Sequence, residues 1–303
     1  MVQSIRDVIP ASGDINRQDF EDSLGLTEDK VDILYNAWLA EASNGFAGAL
    51  RVREKLTAAR TYYVNGTTGS DTNDGLTSGT AFATIQKAVD VALAIDFGIY
   101  NVTISVADGT YVEQIKVGGR HIGTGNLTIQ GNTTTPSNAV IGDASIIYGF
   151  LIDGGAVLTI KGFQFNSQYA INTRNKSIVT VKDIVSNITT RTFYLLSGSV
   201  ILCEHTNLEI RTSKNIVTSY GVSYCSLYNT TIPLIGTISW PSASPFYISS
   251  MSYCWLQLAA FTGTATGKRY TALKGSIIDT NGGGASFIPG DIAGSVDSSS
   301  YYL

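Results

Sequence analysis

Five short segments of this chain recur at a near-constant interval, and that recurrence limits the fold more than any other feature. They are Val157-Leu158-Thr159-Ile160, Ile178-Val179-Thr180-Val181, Val200-Ile201-Leu202-Cys203, Val222-Ser223-Tyr224-Cys225 and Met251-Ser252-Tyr253-Cys254. Their starts lie 21, 22, 22 and 29 residues apart. A period of that size marks a solenoid, whose units bury their apolar faces only by stacking. β-branched residues, Gly, Ser, Thr and Asn fill the period without a helical pattern, which favours strands joined by turns. A unit of about 22 residues suits one rung of a right-handed parallel β-helix: three short strands and three bends. A leucine-rich repeat would need a Leu/Asn framework and a helix per unit, and neither is visible. The expected class is all-β.

Stacked rungs place equivalent residues about 4.8 Å apart. The fourth column then reads Ile160, Val181, Cys203, Cys225, Cys254 and holds all three cysteines of the chain. Small apolar side chains filling the bore explain that column better than a metal or redox site does. Leu158, Val179, Ile201, Ser223 and Ser252 are expected to point inward with it. The outward first column (Val157, Ile178, Val200, Val222, Met251) is nevertheless apolar. A strand apolar on both faces is usually covered on both, so neighbouring subunits are expected to cover this sheet.

Charged residues make up only 15% of the 303 residues, against a typical value of about 25%. Residues 1–60 carry 10 of the 24 acids and 7 of the 20 bases, and so differ in kind from the remainder. A net charge of −4 argues against nucleic acid as a partner, since phosphate contacts need clustered Lys and Arg. No stretch approaches the ~18 apolar residues of a membrane span. Met1-Val2-Gln3-Ser4-Ile5-Arg6-Asp7 lacks the apolar core of a signal peptide. The expectation is that the protein is made and kept in a cytosol or leaves it by another route such as cell lysis, and unpaired cysteines agree with a reducing place of synthesis.

Residues 14–60 read as helical. Phe20, Leu24, Val31, Leu34, Tyr35, Trp38 and Leu39 approach helical spacing, with a fresh start at Thr27. A further helix is expected over Ala47–Ala59. Such short helices bury little alone and suit an anchor for assembly.

The segment from Thr61 to Ala94 holds the most specific pattern. Tyr62-Tyr63-Val64 leads into Gly69-Ser70-Asp71-Thr72-Asn73-Asp74-Gly75-Leu76. Ala81-Phe82-Ala83-Thr84-Ile85-Gln86-Lys87-Ala88-Val89 then starts a helix whose Ile85, Ala88, Val89 and Ala92 share one face. The first rung of a solenoid exposes an open bore and unpaired edges, and such a helix covers them. Asp71 and Asp74 read as turn residues bonding nearby backbone in preference to a cation site. Over residues 62–92 this run resembles the segment that precedes the first rung in bacteriophage tailspike and tail-fibre proteins of the pectate-lyase-like β-helix superfamily. Gly109-Thr110-Tyr111 is similar to a strand-turn-strand of the same superfamily. Residues 263–303, with Lys268-Arg269-Tyr270 and Gly282-Gly283-Gly284, are similar to a C-terminal stretch of phage particle proteins. The resemblance marks a fold and its cap and leaves activity open. It implies a helical virion-attachment segment over 1–60, a leading strand and capping helix over 61–100, a shaft over 101–262 and a cap or trimerisation tail over 263–303.

Tailspikes that cleave polysaccharides use paired carboxylates, about 5 Å apart for retention and ~6.5–9.5 Å for inversion. The candidates here are Asp183 with Glu204, flanked by Lys161, Lys182 and His205. A charge ladder of cross-strand pairs is the simpler account of them. A lyase would need a bound calcium, and no Asp cluster supports one. His121 and His205 stand too far apart to share a metal, and no cofactor is expected. Trp240, Phe246, Tyr247 and Trp255 offer aromatic surface, so Trp240, Phe246 and Tyr247 are candidates for stacking on a glycan. The same loop could instead be buried against another subunit.

Three functions follow as expectations. The first is a structural virion protein, a homotrimeric phage fibre or spike that docks on another virion protein through residues 1–60 and contacts a host surface glycan. The second is a depolymerase, hydrolase or lyase, acting on that polysaccharide. The third is a spike on the capsid.

Overall fold

Among the described residues every strand pairing is parallel. Parallel neighbours cannot be joined by a hairpin, and here each connection is the rest of one rung. The computed structural model describes residues 53–303 apart from 189, 213 and 241–243. The helices expected within residues 14–52 lie outside that range. Residues 53–59, expected to end the Ala47–Ala59 helix, are not helical, and Lys55 bridges to Asp96.

The first sheet stacks Arg60–Val64, Val102–Val106, Leu127–Gln130, Val157–Phe165, Ile178–Asn187, Val200–Leu202, Tyr224–Ser226, Tyr253–Trp255, Ile277–Asp279 and Tyr301–Tyr302. The second stacks Ile115–Gly118, Tyr148–Asp153, Tyr169–Thr173, Arg191–Leu195, Asn215–Ser219, Phe246–Ser249, Tyr270–Leu273 and Ser295–Val296. Shorter pairings, such as Ala139–Ile141 with the end of Val157–Phe165 and Leu208–Thr212 with the end of Ile178–Asn187, make the third side. This is a parallel β-helix spanning the compact unit Glu54–Leu303. Its bore holds Val102, Leu127, Leu158, Val179, Ile201, Cys225, Cys254 and Ile278 in one column, all buried. Phe150, Phe163 and Phe165 meet inside with centroids 6.0–6.4 Å apart.

The register corrects one expected step. Val200 pairs with Tyr224, Ile201 with Cys225 and Leu202 with Ser226, so Val222 and Ser223 precede the strand. The cause lies in the bend that follows Val200–Leu202. Lys161 pairs with Lys182, yet Ile184 pairs with Leu208, and Thr206-Asn207 are the added residues at the bend after His205. A shift of two keeps inward residues inward. All three cysteines are buried, but only Cys225 and Cys254 stack in register. Burial raises the Cys203 thiol well above its ordinary value.

The corner before six successive first-sheet strands, from Val157–Phe165 to Ile277–Asp279, repeats. Gly154-Gly155, Asn175-Lys176, Ser197-Gly198, Gly221-Val222, Ser250-Met251 and Lys274-Gly275 each form a tandem pair at positive φ. After five of these corners comes a buried serine: Ser177, Ser199, Ser223, Ser252 and Ser276; Ser300 extends the row. The Ser252, Ser276 and Ser300 hydroxyls accept from the backbone N–H of Ser223, Ser252 and Ser276 at 3.1–3.2 Å. Val222 and Met251, expected on the strand's outer face, are instead exposed corner residues. The stacking also runs on past Thr262: Ile277–Asp279 and Tyr301–Tyr302 extend the first sheet, so residues 263–303 hold further rungs.

A turn and a helix pack against the first strands of the stack. Helix α1 (Ile85–Leu93) buries Ile85, Ala88, Val89 and Ala92. Asp71 accepts from the N–H groups of Ala83 and Thr84 at 2.9 and 3.0 Å, and Asp74 from Leu76 N–H and the Thr80 hydroxyl. Gly75 sits at φ +69°, and a Cβ there would meet the Phe82 ring at 2.2 Å, so the Asp-Gly turn admits no side chain. Glu113 accepts from the first helical N–H groups, Ile85 at 2.8 Å and Gln86 at 3.0 Å.

Candidate functional site

An insertion between rungs and a bent strand pair enclose a groove of about 260 Å³. One wall is Thr133–Ser137, the insertion whose site is visible in the sequence. Asn132 Oδ1 accepts from the N–H groups of Thr134 and Thr135, and the side-chain amides of Asn132 and Asn138 donate to Asp108. These bonds hold the loop against the shaft. The facing wall is Asp183, Ile184, Val185, Asn207, Glu209 and Arg211.

Asp183 occupies the left-handed region at φ +49°. Its N–H donates to the Thr206 hydroxyl at 2.7 Å, and that hydroxyl donates back to Asp183 Oδ1 at 3.2 Å. Glu209 accepts from Arg211 Nε at 2.6 Å, and Arg211 also donates to Gln164 Oε1 at 3.2 Å. The groove thus presents two carboxylates, one guanidinium already paired, and the Asn207 amide. That array suits hydroxyl-rich ligands.

Of the expected pair, only Asp183 reaches the groove. Glu204 does not line it; Glu209 does. The 22-residue period does not place Glu209 beside Asp183, because Glu209 follows the added Thr206-Asn207 and pairs with Val185. Lys161 and Lys182 are paired in one outward column, as expected. His205 is exposed, with Asn229 Nδ2 2.9 Å from Nδ1 and the Tyr228 ring at 5.1 Å. His121 is buried, stacked on Phe97 at 4.5 Å with Nε2 2.7 Å from the Gly125 carbonyl, and burial lowers its pKa. Among the described residues no group of three or more His, Cys, Asp or Glu is placed to hold a metal ion.

The aromatic candidates divide. Trp240 and Phe246 are fully buried core residues and offer no surface. The reason is that Ile238–Trp240 pairs with Ala265–Gly267 as another strand of the coil. Tyr247 alone faces outward, and it belongs to a tyrosine row that the sequence did not reveal: Tyr148, Tyr169, Tyr194, Tyr220 and Tyr247. Unequal spacing hid it.

No protein-family model matches this sequence, and no curated protein matches it. Among solved structures, the pectin methyl esterase of the rice weevil is similar over 77% of this chain and 83% of that one, with 15% identity and a TM-score of 0.41. The assignment of a parallel β-helix rests on the strand pairing itself.

Proposed function

We propose that the chain is a structural fibre or spike protein of a phage particle, which self-associates along its first sheet and contacts the host cell surface. One observation carries the reading. Val157, Ile178, Val200, Tyr224, Tyr253, Ile277 and Tyr301 form a single outward column over seven rungs, and none is fully buried within the chain. Solvent-facing strand positions are ordinarily polar, and contiguous apolar patches mark interaction surfaces. The resemblance over residues 62–92 supplies the phage particle, the repeat and the doubly apolar sheet supply an elongated oligomer, and the helical reading of residues 1–60 supplies the docking role. Light scattering of the purified chain tests the reading. A trimer is expected, and Ile178→Glu with Tyr253→Glu should yield monomers with the same far-ultraviolet spectrum. A monomeric wild type would sink it.

The groove supports a second reading, a depolymerase of host surface polysaccharide, because Asp183 and Glu209 line one cleft. Reducing-end release from host polysaccharide, abolished in both Asp183→Asn and Glu209→Gln, would replace the first reading with this one.

A further inference from the structure

The outer face of the second sheet carries an array that neither the self-association nor the groove uses. Tyr148, Tyr169, Tyr194, Tyr220 and Tyr247 stand on successive rungs, with neighbouring ring centres 5.2, 5.6, 6.1 and 5.7 Å apart. At about 4.8 Å per rung the row is roughly 20 Å long. All five are half-buried, so each shows part of its ring to solvent. Arg174 lies 5.4 Å from the Tyr148 ring centre, and Arg191 lies 5.4 and 5.0 Å from those of Tyr169 and Tyr194.

The face is rich in donors and short of acceptors. Arg174 gives Nε to Asn172 Oδ1 at 2.8 Å and one terminal nitrogen to the Tyr148 hydroxyl at 3.3 Å. Arg191 gives Nε to the Thr218 hydroxyl at 3.1 Å and a terminal nitrogen to the Tyr169 hydroxyl at 2.8 Å. A guanidinium has five N–H donors, so each keeps several unused. Tyr148 and Tyr169 accept in these bonds, which leaves their own O–H groups to donate. Asn172 is fully buried, and its Nδ2 has no partner. Neither arginine forms an ion pair among the described residues. Asp153, on the rung beside Arg174, is engaged by Gly154 N–H at 2.6 Å and Asn175 Nδ2 at 2.7 Å.

We infer that this face binds an acidic polysaccharide, whose sugar rings lie on the tyrosines and whose carboxylates are taken by Arg174 and Arg191. Guanidinium groups match carboxylates in planar, two-point geometry. Aromatic faces accept the apolar faces of sugar rings. The array climbs five rungs, with a sideways step where Tyr194 pairs with Asn172 and Tyr169 with Arg191, and an array of that length fits a polymer better than a compact ligand. Two arginines on a chain of net charge −4 are too few for a nucleic acid backbone. The inference rests on the reading that the chain contacts host surface glycans, and names their class.

Affinity electrophoresis of the full chain in gels containing alginate, a uronate polymer, or neutral dextran tests it. Retardation is expected in alginate and not in dextran, falling as salt is added. Arg174→Gln should weaken it at least tenfold, and Arg174→Lys less, because the charge stays while the two-point geometry goes. Thermal melts confirm that the variants fold, and if Arg174→Gln fails to fold, Arg174→Lys carries the comparison. No retardation in alginate, equal retardation in dextran, or an unchanged Arg174→Gln variant would overturn the inference. So would an Arg174→Gln variant that loses only its oligomeric mass, since the face would then join copies of the chain. Host adsorption by a trimer that ignores alginate would overturn this inference and leave the fibre reading standing.

Discussion

Val222 holds φ at +59° and is 62% exposed. A β-branched side chain in the left-handed region costs about 1–2 kcal/mol. So exposed a side chain gains little burial to offset that cost, and the equivalent corner at Gly154-Gly155 uses glycine twice. Val222→Gly should therefore stabilise the fold by up to about 1 kcal/mol, because glycine's extra unfolded-state entropy returns part of the gain. A lower urea midpoint for the variant would refute the strain. Thr173 offers the opposite kind of test, inside the bore. Its hydroxyl is fully buried without a partner, beside Leu195 on the next rung. Thr173→Val keeps the β-branch and removes an unsatisfied oxygen, so a gain of about 1–2 kcal/mol is expected in the same titration.

Helix α1 packs against the first strands, and its first turn finds an acceptor in Glu113, which lies beyond the next strand. Glu113→Ala leaves the Ile85 and Gln86 N–H groups without that acceptor and should cost about 1–2 kcal/mol. Its pH dependence has a definite sign. Burial raises the Glu113 carboxyl above its ordinary 4.5, against the two backbone donors that lower it, and the nearby Asp71 charge adds to the rise. The folded chain thus binds more protons than the unfolded one just above pH 4.5, and this group makes stability rise as pH falls through that window. Asp297 acts in reverse. The Lys274 N–H, foremost, and serine hydroxyls hold it down to about 2 from 3.8. Its contribution is present above pH 3.8 and is lost as pH falls towards 2. Glu113→Gln should flatten the first slope and Asp297→Asn the second, read as melting temperature against pH. The helix and the Asp-Gly turn were legible in the sequence because both are local patterns. Glu113 was not, since a cap from 28 residues away leaves no local mark. The first-sheet columns were legible as far as Leu202, where Thr206-Asn207 broke the register. The tyrosine row escaped notice because its members lie 21 to 27 residues apart, and the groove because a loop and a bent strand meet only in space.

Each rung touches only its two neighbours, so stability should be distributed along the stack and not pooled in one core. The two sheets end in Tyr301–Tyr302 and Ser295–Val296, each paired on one side within the chain. Local opening from that end breaks fewer contacts than opening at Ile178–Asn187, which pairs on both sides along a long strand. Ile278 lies in the last strand but one of the first sheet, fully buried between Cys254 and Tyr302. Ile278→Ala removes packing worth about 2–5 kcal/mol. If coupling is nearest-neighbour, hydrogen exchange in that variant should speed up strongly in Tyr253–Trp255, Ile277–Asp279 and Tyr301–Tyr302, and hardly at all in Val157–Phe165. Val181→Ala, in mid-stack, should instead speed exchange on both sides of its strand, because rungs on either side lose a supported neighbour. Uniform loss of protection in both variants would mean that the shaft unfolds as a single unit, and that the rungs are not the elements in which its stability is held.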